Sequence, residues 1–367
     1  MRIGIDARLT HYRQAGISRY TIQLVEALAR LDPTDEFLLL QSFRSREPLV
    51  DHSSFVRRSL YTPAHHRLEQ YTLPLEIGKF GLDVLHSPDF LPPFRRNCRS
   101  IITIHDLAFL LYPHFLTKES ARYYGQIDEA VRRTDAIIAV SEATKSDIVR
   151  LLGVPESRVT VVYEAASSVF KPIDKRQAAD HVRGRFGVRG DYAFFISTIE
   201  PRKNVPTLLK AFRKLLNDYR LDLQLVLAGE KGWLYDEVFQ LVTDLGMVDD
   251  VIFAGRVSTS ELVSLYNAAQ VLVAPSIYEG FGLTPLEAMA CGTPAIVSNV
   301  SSLPEVVGDA GLLVDPYDVG QLAVAMWRAV TDSELRKSLI AKGIKRASYF
   351  SWDRAARETL ELYHRLA

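Results

Sequence analysis

A chain of 367 residues, 47% of them hydrophobic, is long enough to bury large cores and is sized for two domains, which excludes a disordered polypeptide. Lys and Arg together number 44, as do Asp and Glu, so no global field draws nucleic acid and no basic block forms a tail. Only Cys98 and Cys291 occur, far apart, which excludes a disulfide framework or a cysteine-based zinc site and points to a reducing, cytosolic setting.

The chain starts with a strand pattern, Met1-Arg2-Ile3-Gly4-Ile5-Asp6, lacking the apolar core of a signal peptide. No later stretch reaches membrane-spanning length, so any membrane contact is expected to be peripheral. Short apolar runs then alternate with helical patterns from end to end, which predicts parallel sheets covered by helices on both faces. Strands are expected at residues 2–5, 37–40, 84–85, 101–104, 136–140 and 159–162 in a first set. Pro172 and the charged stretch to Asp191 break the rhythm. A second set follows at 192–197, 224–228, 251–253, 271–274, 295–297 and 311–314. The expected fold is therefore α/β, with two doubly wound Rossmann-like domains facing across a cleft. The expected boundaries are 1–172, 173–350, and a terminal helix 351–367 that can return to the first domain.

In chain order, Gly16 opens a helical run within Ala15-Gly16-Ile17-Ser18-Arg19-Tyr20. It can bring backbone close to a phosphate or be an ordinary loop glycine; the three glycines of a dinucleotide fingerprint are missing. Residues 52–67 carry Arg57, Arg58, His65, His66 and Arg67 with Phe55, Leu60 and Tyr61 and no acidic side chain. That composition suits a solvated loop, anionic lipid or an anionic acceptor. His105, in Thr103-Ile104-His105-Asp106, ends a strand at the mouth of the expected cleft, as a sugar ligand or as a satisfied structural histidine. His11, His65, His66, His86 and His114 show no metal spacing.

Strand 192–197 runs into Ser197-Thr198-Ile199-Glu200-Pro201-Arg202-Lys203-Asn204, followed by a helix with Leu208, Leu209, Phe212, Leu215 and Leu216 on one face. Asn204 is expected to cap that helix. Arg202 and Lys203 then lie in a strand-to-helix loop at the edge where such sheets bind ligands, as a diphosphate clamp or as a solvated surface pair.

The most informative run is Glu279-Gly280-Phe281-Gly282-Leu283-Thr284-Pro285-Leu286-Glu287, a loop feeding a helix start with a carboxylate at either end. Thr284 and Glu287 have the spacing of a capping box, Pro285 suits the first helical position, and Gly292 ends the helix. Capping leaves Gly280, Gly282 and Glu279 unaccounted for, whereas a phosphorylated sugar held by backbone N–H groups accounts for them. No Asp-X-Asp triplet occurs. No metal and no cofactor are therefore expected, and fixed cations with a helix N-terminus are left to stabilise a departing diphosphate.

Together these motifs resemble the retaining glycosyltransferases of family 4, whose architecture is called GT-B. The resemblance spans nearly the whole chain and rests on Glu279 to Glu287 with Ala288-Met289-Ala290-Cys291-Gly292-Thr293-Pro294, on Glu200 to Asn204, on His105-Asp106, and on Val140-Ser141-Glu142. It implies that Glu279, Gly280, Phe281, Gly282, Leu283 and Thr284 meet the donor sugar and phosphate, and that Glu287 holds the ribose. It also implies that Arg202 and Lys203, with Ser197 beside them, bind the diphosphate. By the same resemblance His105 touches the sugar, Gly16 approaches the diphosphate, and Gly255, Arg256 and Val257 border the base. Ala15-Gly16 stands where many members have two glycines, and Tyr163-Glu164-Ala165 where many have Pro-Asn-Gly.

The wording around Thr198 to Asn204 is similar to bacterial mannosyltransferases using GDP-mannose. The expectation is a retaining transferase moving mannose to a hydroxyl of a saccharide or lipid-linked acceptor in cell-surface polysaccharide synthesis, cytoplasmic, with peripheral contact to anionic membrane. Catalysis would use His105, Arg202, Lys203 and Glu279. A donor phosphate oxygen would take the acceptor proton, the alternative being covalent attack by Glu279. A UDP-sugar donor, an epimerase or phosphorylase on the same architecture, and a catalytically silent sugar-nucleotide binder are the competing readings.

Overall fold

The computed structural model describes residues 1–11, 16–115, 118–230 and 235–367; Ala15, which flanks the Gly16 motif, lies outside them. The chain divides into two compact units, Met1–Glu164 with Ser351–Ala367, and Ala165–Phe350. The join lies at Glu164/Ala165 rather than at 172/173 because the intervening residues pack in the second unit. Phe170 stacks edge-on to Tyr266, and Asn267 donates to the Lys171 carbonyl while accepting from the Ile173 N–H.

The first unit holds a seven-stranded sheet of β1 (Arg2–Asp6), β2 (Glu36–Ser42), β3 (Phe55–Leu60), β4 (Val84–Ser87), β5 (Arg99–Ile104), β6 (Ala136–Ala139) and β7 (Val159–Val161). Their order is β3-β2-β1-β4-β5-β6-β7, and the described pairings are parallel. The loop expected over 52–67 is instead strand in its first half. β3 is an edge strand in which Phe55 and Leu60 are buried while Arg58 and Ser59 face solvent. Half-exposed edge strands lack the apolar run that marks a central one, which is why the pattern reads as loop. Pairing with β2 sets Phe37 opposite Phe55, with their rings stacked at 4.5 Å.

The second unit holds β8 (Tyr192–Ile196), β9 (Gln224–Ala228), β10 (Val251–Gly255), β11 (Val271–Ala274), β12 (Ala295–Ser298) and β13 (Gly311–Val314), in the order β10-β9-β8-β11-β12-β13. Side chains alternate across this sheet with the period of two that strand geometry imposes. Ala193, Phe195, Leu225, Leu227, Val271 and Val273 enter one core, whereas Tyr192, Phe194, Val226, Ala228 and Leu272 enter the other. Both faces are thus covered, and each fully buried large side chain contributes about 1.5–3 kcal/mol.

The Trp352–Leu366 helix closes the chain back on the first unit, as the sequence allowed. Trp352 packs edge-on to Tyr20, Arg30 pairs with Asp353 at 2.6 Å, and Tyr363 and the buried His86 ring share a 2.6 Å hydrogen bond.

In each sheet the strand order reverses once, between β1 and β4 in the first and between β8 and β11 in the second. Loops leaving neighbouring strands at such a point run to opposite faces and open a crevice beyond the strands' carboxyl ends, where ligands bind.

Candidate active site

Arg202 and Lys203 follow β8, and Glu279 follows β11, so sequence segments far apart meet at the reversal point of the second sheet. Lys203 Nζ lies 2.6 Å from Glu279 Oε1, and Arg202 donates to Glu279 Oε2 at 3.3 Å and, through Nε, to Glu200 at 2.6 Å. Ser276 donates to Glu279 Oε1 at 2.7 Å. The loops are also tied through backbone, since the Ile277 N–H donates to the Arg202 carbonyl at 2.8 Å. Burial by itself pushes the Glu279 carboxyl up, but Lys203 and Arg202, with the Lys203 and Ser276 hydrogen bonds, hold it below its ordinary range. The adjacent cations are therefore no solvated surface pair. They are fixed side by side by one shared carboxylate.

Asn204 occupies the cap position before the Val205–Tyr219 helix but makes no side-chain cap. Its backbone is left-handed (φ 57°), a conformation asparagine tolerates, and its amide donates to the Pro275 and Pro316 carbonyls at 3.0 and 2.6 Å. The residue thus clamps the β8 loop to the β11 loop.

The expected capping box is corrected too. The helix spans Leu283–Ala290, beginning before Thr284, with Gly282 as its cap residue at φ 119° and no side-chain cap. Pro285 is accordingly third rather than first, and Glu287, too deep in the helix to reach back, is buried and accepts from the Tyr266 hydroxyl at 2.9 Å. The first-turn N–H groups are left without a side-chain cap, which is the arrangement that receives an anion. Gly292 does end the helix: its φ is 77°, its N–H bonds to the Met289 carbonyl and that of Thr293 to Ala288, a Schellman pattern. Ser301 and Ser302, which the sequence did not single out, hold the loop from behind. Ser301 Oγ accepts from the Glu279 N–H, and Ser302 donates to the Glu279 and Phe281 carbonyls.

A third group of expected residues meets at the ends of β8, β9 and β10. Gly229, also unflagged, has φ 132°, and a Cβ there would fall 1.9 Å from the Ser197 carbonyl oxygen. Its N–H donates to the Gly255 carbonyl at 2.8 Å. Arg256 is exposed and faces Glu230 at 3.5 Å, and Val257 is half-buried against the core below. A glycine directly after a strand is the signal that could have found Gly229.

His105 and Gly16 belong to the first unit. His105 lies beyond β5, where Nδ1 meets Glu164 at 2.9 Å and Nε2 meets the Pro88 carbonyl at 2.9 Å. Oxygen partners at both nitrogens favour the ring that carries both protons. Burial lowers the His105 pKa, but the Glu164 hydrogen bond and charge outweigh it and raise the value above the ordinary one. Gly16 begins the Gly16–Arg30 helix, and a Cβ there would meet nothing within 4 Å. Among the described residues, no packing requires this glycine.

The family model for "Glycosyltransferase Family 4" matches residues 15–166, and that for "Glycosyl transferases group 1" matches residues 178–346. The chain is 33% identical to the O-antigen chain mannosyltransferase B of Escherichia coli, over 99% of each chain. It is 27% identical to the serotype-specific mannosyltransferase WbdA of Escherichia coli over 88% of this chain, but spans only 42% of that longer relative. Among solved structures, sucrose-phosphate synthase from Thermosynechococcus elongatus superposes with a TM-score of 0.80 at 22% identity, over 100% of this chain and 99% of that one.

Proposed function

The chain belongs to the family 4 glycosyltransferases of GT-B fold, and from that premise we propose that this hexosyltransferase of polysaccharide synthesis moves mannose from GDP-mannose to a saccharide hydroxyl with retention at the anomeric carbon. One observation carries the reading: Arg202 and Lys203 are held side by side at the reversal point of the second sheet, in loops tied to the one that feeds an uncapped helix N-terminus. A leaving nucleoside diphosphate gathers negative charge as the sugar–oxygen bond breaks, and two fixed cations with aimed amides stabilise that charge without reorganising. Mannose as the transferred sugar is supported by the names of the two relatives.

Glu279 serves in this reading as organiser rather than nucleophile. One oxygen accepts from Lys203 and Ser276 and the other from Arg202, so its charge is already engaged. The donor phosphates then take over part of the cations' hydrogen bonding, and a donor phosphate oxygen accepts the acceptor's proton. Arg202 and Lys203 supply the positive charge, so no metal is required.

Peripheral contact with an anionic bilayer belongs to the same reading. Among the described residues no helix is long and apolar enough to cross a membrane. The first unit nonetheless exposes Tyr61, Tyr71 and Leu75 at 70% or more, with Phe43 stacked on Tyr61 at 5.1 Å and Arg44 over the Phe43 ring. Exposed Arg58 and Arg67 are near these residues in the chain. Aromatic and aliphatic side chains among arginines fit a headgroup layer.

The test is a screen of GDP- and UDP-sugars for protection against thermal unfolding, followed by NMR of the product linkage in EDTA. GDP-mannose should protect best and yield an α-linked mannoside without added metal. Protection by UDP-sugars alone would overturn the donor assignment, and a β-linked product would overturn retention.

A further inference from the structure

Two histidines stand at neighbouring strands of the first sheet, and the protein gives them opposite surroundings. His86, in β4, has the Tyr363 hydroxyl 2.6 Å from Nδ1 and the Thr103 hydroxyl 2.8 Å from Nε2. Hydroxyls donate or accept as needed, so a neutral ring satisfies both, and burial, helped by the His105 charge, holds His86 down to about 3. His105 follows β5 and meets acceptors instead, a Glu164 carboxylate oxygen 2.9 Å from Nδ1 and the Pro88 carbonyl 2.9 Å from Nε2.

Glu164 is the last residue of the first unit, just beyond β7, and its side chain is 6% exposed. Among the described residues His105 is the one cation paired with it. A buried carboxylate needs a positive partner, so a neutral His105 would leave Glu164 uncompensated and turn an Nε2 lone pair toward the Pro88 carbonyl. The doubly protonated ring relieves both. The other groups around the ring are committed elsewhere. Tyr20 sets its ring edge-on to His105 at 4.8 Å and shares its hydroxyl with Thr103, Asp106 accepts from the Ala108 N–H, and Asp89 accepts from His65 and Tyr123. Burial lowers the His105 pKa, and the Glu164 hydrogen bond and charge, with smaller help from the Pro88 carbonyl and Asp89, raise it above the ordinary value.

We propose that Glu164 is a positioning residue of the transfer reaction: by fixing Nδ1–H it holds His105 as a cation, and its Nε2–H passes from the Pro88 carbonyl to an oxygen of a substrate sugar. The ring lies beyond the carboxyl end of β5, the edge at which such sheets receive ligands, and its side chain is 20% exposed. A charged donor binds a sugar oxygen about twice as strongly as a neutral one, and a ring without the second proton has no donor at Nε2 to offer. This role rests on the glycosyltransferase reading above and adds the residue that sets the charge on His105.

The test begins without substrate, so that the two readings fail separately. The full chain with 15N-labelled histidine is followed by ring-nitrogen NMR from pH 5.5 to 9.5. At pH 7.5 His105 should carry two ring protons and His86 one. Glu164→Gln keeps the size and an oxygen for Nδ1–H but removes the charge, and should lower the pH at which His105 loses its second proton by about 1–2 pH units. GDP release from GDP-mannose is then measured over the same range, with methyl α-mannoside as acceptor probe. In wild type, kcat should fall on the alkaline side with the midpoint of the His105 ring. In Glu164→Gln that fall should move down with the ring, so kcat at pH 8 drops about tenfold while at pH 5.5 it approaches wild type. A variant damaged only in packing would not regain activity on acidification. GDP should protect both proteins equally against unfolding, and the KM that rises, for GDP-mannose or for methyl α-mannoside, identifies the sugar served by the ring. A singly protonated His105 in wild type at pH 7.5 overturns the proposal, as does a variant whose ring or whose kcat profile titrates like wild type. Should Glu164→Gln fail to fold, wild type decides alone: a ring midpoint more than about one pH unit from that of kcat refutes the role. A wild-type chain that releases no GDP at any pH strikes the transferase reading and the role in transfer with it, while the ring spectra still decide the Glu164 pairing.

Discussion

Replacing Glu279 by Gln tests whether one carboxylate organises the cation pair. The substitution keeps shape and an oxygen for Ser276 but removes the charge shared by Lys203 at 2.6 Å and Arg202 at 3.3 Å. Removing one partner of a fully buried ion pair costs about 3–5 kcal/mol. Here the Glu279 and Lys203 side chains are each 14% exposed, and Arg202, at 25%, keeps its 2.6 Å contact with Glu200. The loss should accordingly be about 2–3 kcal/mol, which for a unit the size of residues 165–350 lowers Tm by about 5–10 °C. The assay is thermal unfolding with and without saturating GDP. Relieved of their competitor, the two cations should bind diphosphate at least as well as before, so the GDP-induced rise in Tm should match or exceed that of wild type while transfer falls. Two results refute the reasoning: a variant as stable as wild type, which would mean that the ion triad contributes nothing, or abolished GDP protection, which would make Glu279 a direct nucleotide ligand.

Two glycines should behave oppositely. Gly229→Ala forces a Cβ against the Ser197 carbonyl at a backbone angle alanine resists, and should destabilise the second unit by about 3 kcal/mol and weaken GDP protection. Gly16→Ala, whose Cβ would meet nothing within 4 Å among the described residues, should leave Tm unchanged, so any loss of activity reports on ligand approach; calorimetry of both variants decides. The first unit should show two histidine effects of opposite sign. Burial, helped by the neighbouring His105 charge, holds His86 down to about 3, so its stabilising effect is complete above pH 6.5 and is lost as pH falls from there toward 3. His105 is raised, so its contribution is complete below about 6.5 and fades as pH rises through its folded value. NMR of labelled histidine rings should find His105 titrating above His86, and the reverse order would contradict the hydrogen-bond assignment. Replacing exposed Tyr71 and Leu75 by Ser should leave stability within about 0.5 kcal/mol and reduce flotation with vesicles of anionic lipid; unchanged flotation would remove this face from the membrane reading.

Much of this protein was written in its sequence, because short-range periodicity and turn chemistry are local. Buried parallel strands read as apolar runs, and with them the two doubly wound sheets; the run at 279–287 and the adjacent Arg202 and Lys203 stood out as candidates, and the structure brings Glu279, Arg202 and Lys203 together. What local pattern could not express was anything set by a partner distant in the chain. β3 was hidden because an edge strand is apolar on only part of its length, and its strandness comes from pairing with β2. Thr284 and Glu287 had the spacing of a capping box, yet the helix begins at Leu283, and burial against Tyr266 turns Glu287 inward. Asn204 was placed at the right helix end, but its amide is taken by Pro275 and Pro316 from other loops. That Glu279 pairs with both cations and that Gly229 must be glycine because Ser197 passes over it depend on distances between segments tens of residues apart. Sequence determines which elements form; only the closing of the sheets determines which charges, carbonyls and hydroxyls are left facing one another.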